Sequence, residues 1–224
     1  MGESNWDFYW REQKELEHWQ KPADSVIEFV KASNCDKQPK VLDLGCGIGR
    51  HAILFTKEGF KVTALDSSEQ ALEELKNNIK KLNLDIKIVK GNYLKSIFQP
   101  NSFDIIISYN VIYHGFREDF KRAIELCKTY LKEEGVLFFT CPTREDDKYG
   151  SGKKVAPYTY ESLNSVHPGD IHYFADGDDI KELVEGLKIK SIKKDEHYWD
   201  NDGKKQFSSY WEVIVKNVQG GTIT

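Results

Sequence analysis

Residues 41–50, Val-Leu-Asp-Leu-Gly-Cys-Gly-Ile-Gly-Arg, constrain the fold more than any other stretch of the chain. A short apolar run leads into three glycines at alternate positions. An amphipathic pattern follows, with Ala52, Ile53 and Phe55 on its apolar side. That order reads as a buried strand, a tight loop and a helix start. Gly45, Gly47 and Gly49 leave no Cβ between the backbone and a ligand, and the helix behind them offers free N–H groups and a positive dipole end. A tight turn that binds nothing would have little need of three such glycines.

The spacing is not that of a dinucleotide loop. That fingerprint, G-x-G-x-x-G, seats a pyrophosphate on a helix N-terminus. Here the glycines run G-x-G-x-G, and Asp43 stands two residues before the first. A carboxylate at the mouth of the loop would repel a pyrophosphate and attract a ligand carrying positive charge.

Strands and helices alternate beyond the loop. Lys61–Asp66 reads as a strand, and Ser67 to Gln70 has the S-x-x-Q form of a capping box. Leu72, Leu75, Ile79 and Leu82 are spaced as one helix face, and Ile86 to Val89 alternates as a strand. Phe103 to Ser108 is apolar enough for burial on both faces. Phe120, Ala123, Ile124, Cys127 and Leu131 predict a helix that Gly135 stops, before a second buried strand over Val136–Thr140. This predicts an α/β fold with a parallel sheet and helices on both faces. Residues 142–175 carry prolines and glycines and little periodicity, so they read as a long inserted loop. A helix near 178–186 with Asp176 as N-cap and two strands, 187–199 and 206–217, complete the pattern, with a hairpin turn at 200–203. Ahead of the first strand, Trp6, Tyr9, Trp10, Leu16 and Trp19 sit at helical spacing, and another apolar stripe follows Pro22. The organisation expected is a helical cap over 1–39, one domain over 40–217 and a loose tail over 218–224.

The D-x-G-x-G-x-G run from Asp43 to Gly49 resembles the first motif of the class I S-adenosylmethionine-dependent methyltransferases. Within that family the chain is similar to the group containing ubiquinone-pathway, tellurite-resistance-type and generic methyltransferase domains, and the likeness covers about residues 40–217. It implies a doubly wound, mostly parallel seven-stranded sheet with a C-terminal antiparallel hairpin. It implies S-adenosyl-L-methionine as cofactor, S-adenosyl-L-homocysteine as product and a small-molecule methyl acceptor. Carried over position by position, it sets the cofactor against Asp43, Gly45, Cys46, Gly47, Asp66, Ser67, Asn92, Tyr93 and Tyr109. Trp10, ahead of the first strand with Trp6 and Tyr9, is expected to close over the same site as part of a lid, its other reading being packing of a helix against the sheet. Asp66 stands 21 residues after Gly45, where the family holds the ribose diol; its other reading is a carboxylate favouring a helix dipole. Asn92 replaces the acid that the family usually sets before adenine, and can equally be a turn residue. Ser108 to His114 ends the fourth strand, where such folds line the ligand crevice. It is neither N-P-P-Y nor D-P-P-Y and offers no cysteine nucleophile, which argues against base methylation. His114 and His172, with His167 a further candidate, are the groups that could take a proton from an acceptor. Each also has a bland reading as a structural histidine.

Bulk properties narrow the partners. A net charge of −4 with scattered Lys pairs disfavours a nucleic-acid surface. Four dispersed cysteines without a C-x-x-C pair suggest reduced thiols in the cytoplasm. Neither a signal peptide nor a membrane span is apparent. Asp146 and Asp147 are read as solvated acids, so no metal is expected. Two rivals remain at this level: a nicotinamide-dependent oxidoreductase, and a non-catalytic nucleoside-binding or scaffold protein. The acceptor and the oligomeric state stay open.

Overall fold

The computed structural model describes residues 5–12, 20–162, 169–201 and 204–218. Seven strands form the main sheet: β1 (Lys40–Leu44), β2 (Lys61–Asp66), β3 (Lys87–Lys90), β4 (Phe103–Ser108), β5 (Leu131–Pro142), β9 (Lys188–Asn201) and β10 (Lys204–Lys216). Their order is β3-β2-β1-β4-β5-β10-β9. The first five run parallel, and β10 lies antiparallel between β5 and β9. The doubly wound, mostly parallel sheet with its terminal antiparallel pair is therefore present.

Side chains alternate between two cores, as the two-residue period of a strand requires. Val41, Ile105 and Ile107 join a core with Phe55, Leu72 and Leu75, under α2 (Asp24–Ala32), α3 (Arg50–Lys57) and α4 (Glu69–Leu82). Leu42, Leu44 and Ile106 face the other side, with Phe120 and Ile124 of α5 (Arg117–Tyr130) and Ile180 of α6 (Gly177–Leu183). The order of winding reverses between β1 and β4. The crevice beyond their carboxyl ends is where open α/β sheets bind ligands, and it receives both the glycine loop and residues 109–114.

Local expectations are corrected in four places. The cap of α4 is Ser68, whose hydroxyl accepts from Ala71 N at 3.1 Å, and not Ser67. Helix α5 ends at Tyr130 and passes directly into β5, so Gly135 lies within the strand. Residues 142–175 are not a plain loop: β6 (Lys153–Ala156), β7 (Thr159–Glu161) and β8 (Ile171–Tyr173) make a three-stranded antiparallel sheet. Strands of three or four residues are too short to display a period. Asp146 is buried, its carboxylate accepting from Ser209 N and Lys148 N, while Asp147 accepts from Phe207 N.

The small sheet is fastened to the end of β4. Gly115 N donates to Ile171 O at 2.8 Å, and Tyr173 N donates to Tyr113 O at 3.0 Å. On the opposite flank, α1 (Asn5–Glu12) packs against α4. Leu16, Trp19, His167 and residues 219–224 lie outside the described residues, as does part of the 200–203 turn. No helix among the described residues is long and apolar enough to cross a membrane.

Candidate active site

The glycine loop folds back onto β2. Gly45 N and Cys46 N both donate to Leu65 O, at 2.8 and 3.0 Å, and Gly47 N donates to Asp66 Oδ2 at 2.8 Å. Gly45 and Gly47 have φ of 74° and 54°, a region that side chains with a Cβ rarely occupy. A Cβ on Gly47 would stand 2.6 Å from Trp10 Cζ2, and one on Gly45 would stand 2.4 Å from Val111. The loop is thus pressed from both sides, and only glycine fits.

Asp43 is not at the mouth. It is buried on the Val41 face of β1, and its Oδ2 accepts from Ala52 N at 2.9 Å in the first turn of α3. Burial pushes its carboxyl up to about 7, although the Ala52 hydrogen bond and the Arg50 charge pull the other way. Its work is to tie the helix start to the strand beneath the loop.

Asp66 does reach the crevice. Besides Gly47 N, it accepts from Ser68 N at 2.8 Å through Oδ1. A carboxylate oxygen takes two bonds, so each retains capacity for a ligand hydroxyl. Burial raises its pKa, opposed by the amides of Ser68, Gly47 and Ser67. Ser68 Oγ in turn donates to Asp7 Oδ1 at 2.7 Å, and Gln70 N donates to the same oxygen at 3.2 Å. An acid from α1 thereby sits at the N-terminus of α4, where the dipole favours it.

The loop, Asp66 and Ser67 form one wall of a cavity of about 580 Å³. Trp6, Tyr9 and Trp10 of α1 roof it, and Tyr93, Tyr109 and Tyr113 line its floor. Of the residues expected at a cofactor site, Trp10, Gly45, Cys46, Gly47, Asp66, Ser67, Tyr93 and Tyr109 share this cavity; Asp43 and Asn92 do not. Asn92 is exposed, and its Oδ1 accepts from Leu94 N at 2.8 Å, which makes it a turn residue. Tyr93 also braces the far wall, its hydroxyl donating to His114 O at 2.9 Å.

That wall holds a second polar group of residues. His114 Nδ1 hydrogen-bonds Asp170 Oδ1 at 3.1 Å, and His172 Nε2 lies 3.1 Å from the same oxygen without hydrogen-bond alignment. An ionised carboxylate only accepts, so the His114 proton sits on Nδ1. The His114 ring stacks on Tyr113 at 4.5 Å and meets the edge of Trp6 at 4.9 Å. Burial, with His172 beside it, holds the His114 imidazole down to about 4 against the pull of Asp170, so it is neutral near pH 7. Burial would raise the Asp170 carboxyl, but the two imidazoles hold it well below the usual range.

Two important residues were missed in the sequence. Asp170 follows Gly169 and looks like a turn acid, yet Asp-x-His places it two residues from His172, on one side of an extended segment. Arg50 directly follows the last glycine. Its half-buried guanidinium lies 5.4 Å over the Tyr109 ring, and desolvation lowers its pKa. It gives the glycine-loop side of the cavity a cation.

Comparison with known proteins agrees with this geometry. The family described as Methyltransferase domain matches residues 41–135. A ubiquinone biosynthesis O-methyltransferase of Coxiella burnetii is 25% identical over 178 residues, which is 75% of this chain and 75% of that protein. Among solved structures, a SAM-dependent methyltransferase of Methanosarcina mazei superposes with a TM-score of 0.71 at 14% identity, covering 88% of this chain and 99% of that one. TehB of Haemophilus influenzae gives 0.68 at 19% identity, covering 91% of this chain and 65% of that one.

Proposed function

We propose that this chain, which belongs to the class I S-adenosylmethionine-dependent methyltransferases, methylates a hydroxyl oxygen of a small organic molecule. The observation that carries the reading is one cavity with two unlike walls: a glycine loop with a buried acid, and an imidazole–carboxylate cluster opposite. The nicotinamide reading gives way to it, since the matching family is a methyltransferase domain.

The residues present fit the cofactor. Gly45 and Gly47, held at positive φ, line the cavity with bare backbone, Asp66 has lone pairs for vicinal hydroxyls, and Arg50 offers a cation for a carboxylate. Bound there, S-adenosylmethionine supplies a methyl group on a positively charged sulfur, already activated for transfer. The chain's own part is to align, to exclude water and to manage a proton. Trp6, Tyr9 and Trp10 cover the cavity and present ring faces suited to a cation. Neutral His114, with Asp170 and His172, favours loss of the acceptor's proton. A hydroxyl is the acceptor that needs such help, and the Coxiella relative is named an O-methyltransferase.

Other parts of the reading follow from weaker support. Residues 1–39 act as the cap of the 40–217 domain. Four free cysteines, three of them buried, suit a reducing compartment such as the cytoplasm. The overall negative charge favours a small acceptor over nucleic acid. The test is a panel of phenols, catechols, alcohols, thiols and amines, scored by S-adenosylhomocysteine formation. Turnover confined to hydroxyl compounds is expected; turnover only on thiols, amines or nucleic acid would overturn the assignment.

A further inference from the structure

We infer that His114, Asp170 and His172 are the ligands of a divalent transition-metal ion on the acceptor side of the cavity. His114 Nδ1 and His172 Nε2 each lie 3.1 Å from Asp170 Oδ1, and the three donor atoms fall within 4.8 Å of one another. Ligand atoms at about 2.0–2.2 Å from one zinc-like ion are separated by about 3.0–3.5 Å, so two of the three edges already have that length. The third donor gives the more telling sign. His172 Nε2 is buried and has no hydrogen-bond partner despite its closeness to Asp170. A ring nitrogen placed beside a carboxylate oxygen yet not aimed along a hydrogen bond is what two ligands facing a common centre look like.

The surroundings suit a cation. The side chains are 15%, 11% and 12% exposed, so the carboxylate is largely shielded from water. Tyr113 and Trp6 clamp the His114 ring, and β8 holds His172 through its backbone pairing. Lys148 is the opposing charge, but it is exposed, and its long stem can carry the ammonium to solvent. Two imidazoles and one carboxylate suit zinc, iron, manganese or cobalt rather than calcium or magnesium. On binding, His114 keeps its single proton but carries it on Nε2, so that the Nδ1 lone pair faces the ion where the Nδ1–H had faced Asp170.

Three protein ligands leave coordination positions toward the cavity. An acceptor hydroxyl bound there would release its proton to solvent and stay on the ion as alkoxide or phenoxide. This last part rests on the methyltransferase reading; the ligand set does not.

The test is direct. The metal-free chain, dialysed against Co²⁺, should take up one equivalent and develop visible d–d absorption, with hyperfine-shifted ring signals from two histidines. Asp170→Asn and His172→Ala should each weaken uptake by at least about 100-fold, more than loss of an outer partner would. Thermal unfolding would check that both variants fold, and the histidine signals need no variant. No stoichiometric Co²⁺ uptake by the wild type would overturn the site, as would undiminished uptake by an Asp170→Asn/His172→Ala double variant. Co²⁺ bound at these residues in a chain without affinity for S-adenosylhomocysteine would support the site while sinking the methyltransferase reading.

Discussion

Trp10 rests on Gly47 so closely that its Cζ2 would be 2.6 Å from any Cβ placed there. The contact joins the first described helix to the loop that the sheet is built around. Gly47→Val therefore collides with the indole and also forces a side chain into a φ of 54°. Calorimetric titration should find no S-adenosylhomocysteine binding in that variant. Gly47→Val combined with Trp10→Ala should remain deficient, because the backbone strain persists. Recovery of wild-type affinity in the double variant would show that Trp10 alone closes the loop.

Asp66→Ala removes the acceptor for Gly47 N and Ser68 N as well as the proposed contact to the cofactor's hydroxyls. Hydrogen bonds to a charged group contribute about 1.5–3 kcal/mol, so the cofactor should bind roughly 10- to 150-fold more weakly. Unchanged affinity for S-adenosylhomocysteine would remove Asp66 from the cofactor wall.

Helix α1 is held to α4 through Asp7, which accepts from Ser68 Oγ and Gln70 N. Asp7→Ala should loosen the roof without unfolding the sheet. Hydrogen exchange should be fast over residues 5–12 in the free variant and slow again with S-adenosylhomocysteine bound. If the same residues exchange slowly in the free wild type and do not respond to ligand, the roof is fixed packing and not a closing element.

Asp43 gives a pH test of the loop's foundation. Its folded pKa of about 7 lies above the ordinary 3.8, so the folded state holds the proton more tightly. The stability this contributes is fully present below about pH 4 and is lost as pH rises toward 7 and beyond. The gap of about 3 units corresponds to about 4 kcal/mol at most. Asp43→Asn keeps an oxygen for Ala52 N but cannot ionise. Urea unfolding should therefore show the variant gaining on wild type steadily between about pH 4 and 7. A difference that stays flat with pH would show that Asp43 is charged and well compensated.

What the sequence displayed and what it hid have physical causes. β1 and β4 were legible because strands covered on both faces must be apolar throughout, as Val41–Leu44 and Ile105–Ile107 nearly are. Asp43 stands two residues from Val41 and shares its face, so it faces the helices and cannot stand at the mouth. Gly45, Gly47 and Asp66 meet at one cavity, and their grouping was legible because their spacing is local. Asp170 was hidden because its meaning depends on β8 docking beside Tyr113, and that contact spans more than fifty residues of chain. Asn92 was misplaced because a motif position fixes where a residue lies but not where its amide points; here it turns back to Leu94 N.

The three-stranded sheet enters the molecule between β5 and α6 and is tied to the end of β4 by backbone hydrogen bonds. Its attachment combines those main-chain bonds with the Tyr173 side chain, buried in the main core, and the His114–Asp170 hydrogen bond, while its cavity-facing residues, Tyr160, Asp170, His172 and Phe174, come from one contiguous segment. The glycine loop and Asp66 come from another, complete before residue 70. Much of the acceptor side is therefore carried by a segment separate from the glycine loop and Asp66, while Tyr113 and His114 stay with the end of β4. A lineage could exchange the segment between β5 and α6 and alter what is methylated without disturbing the grip on the methyl donor. Chimeras cut at those two strand and helix boundaries offer a practical route to new acceptors on this scaffold.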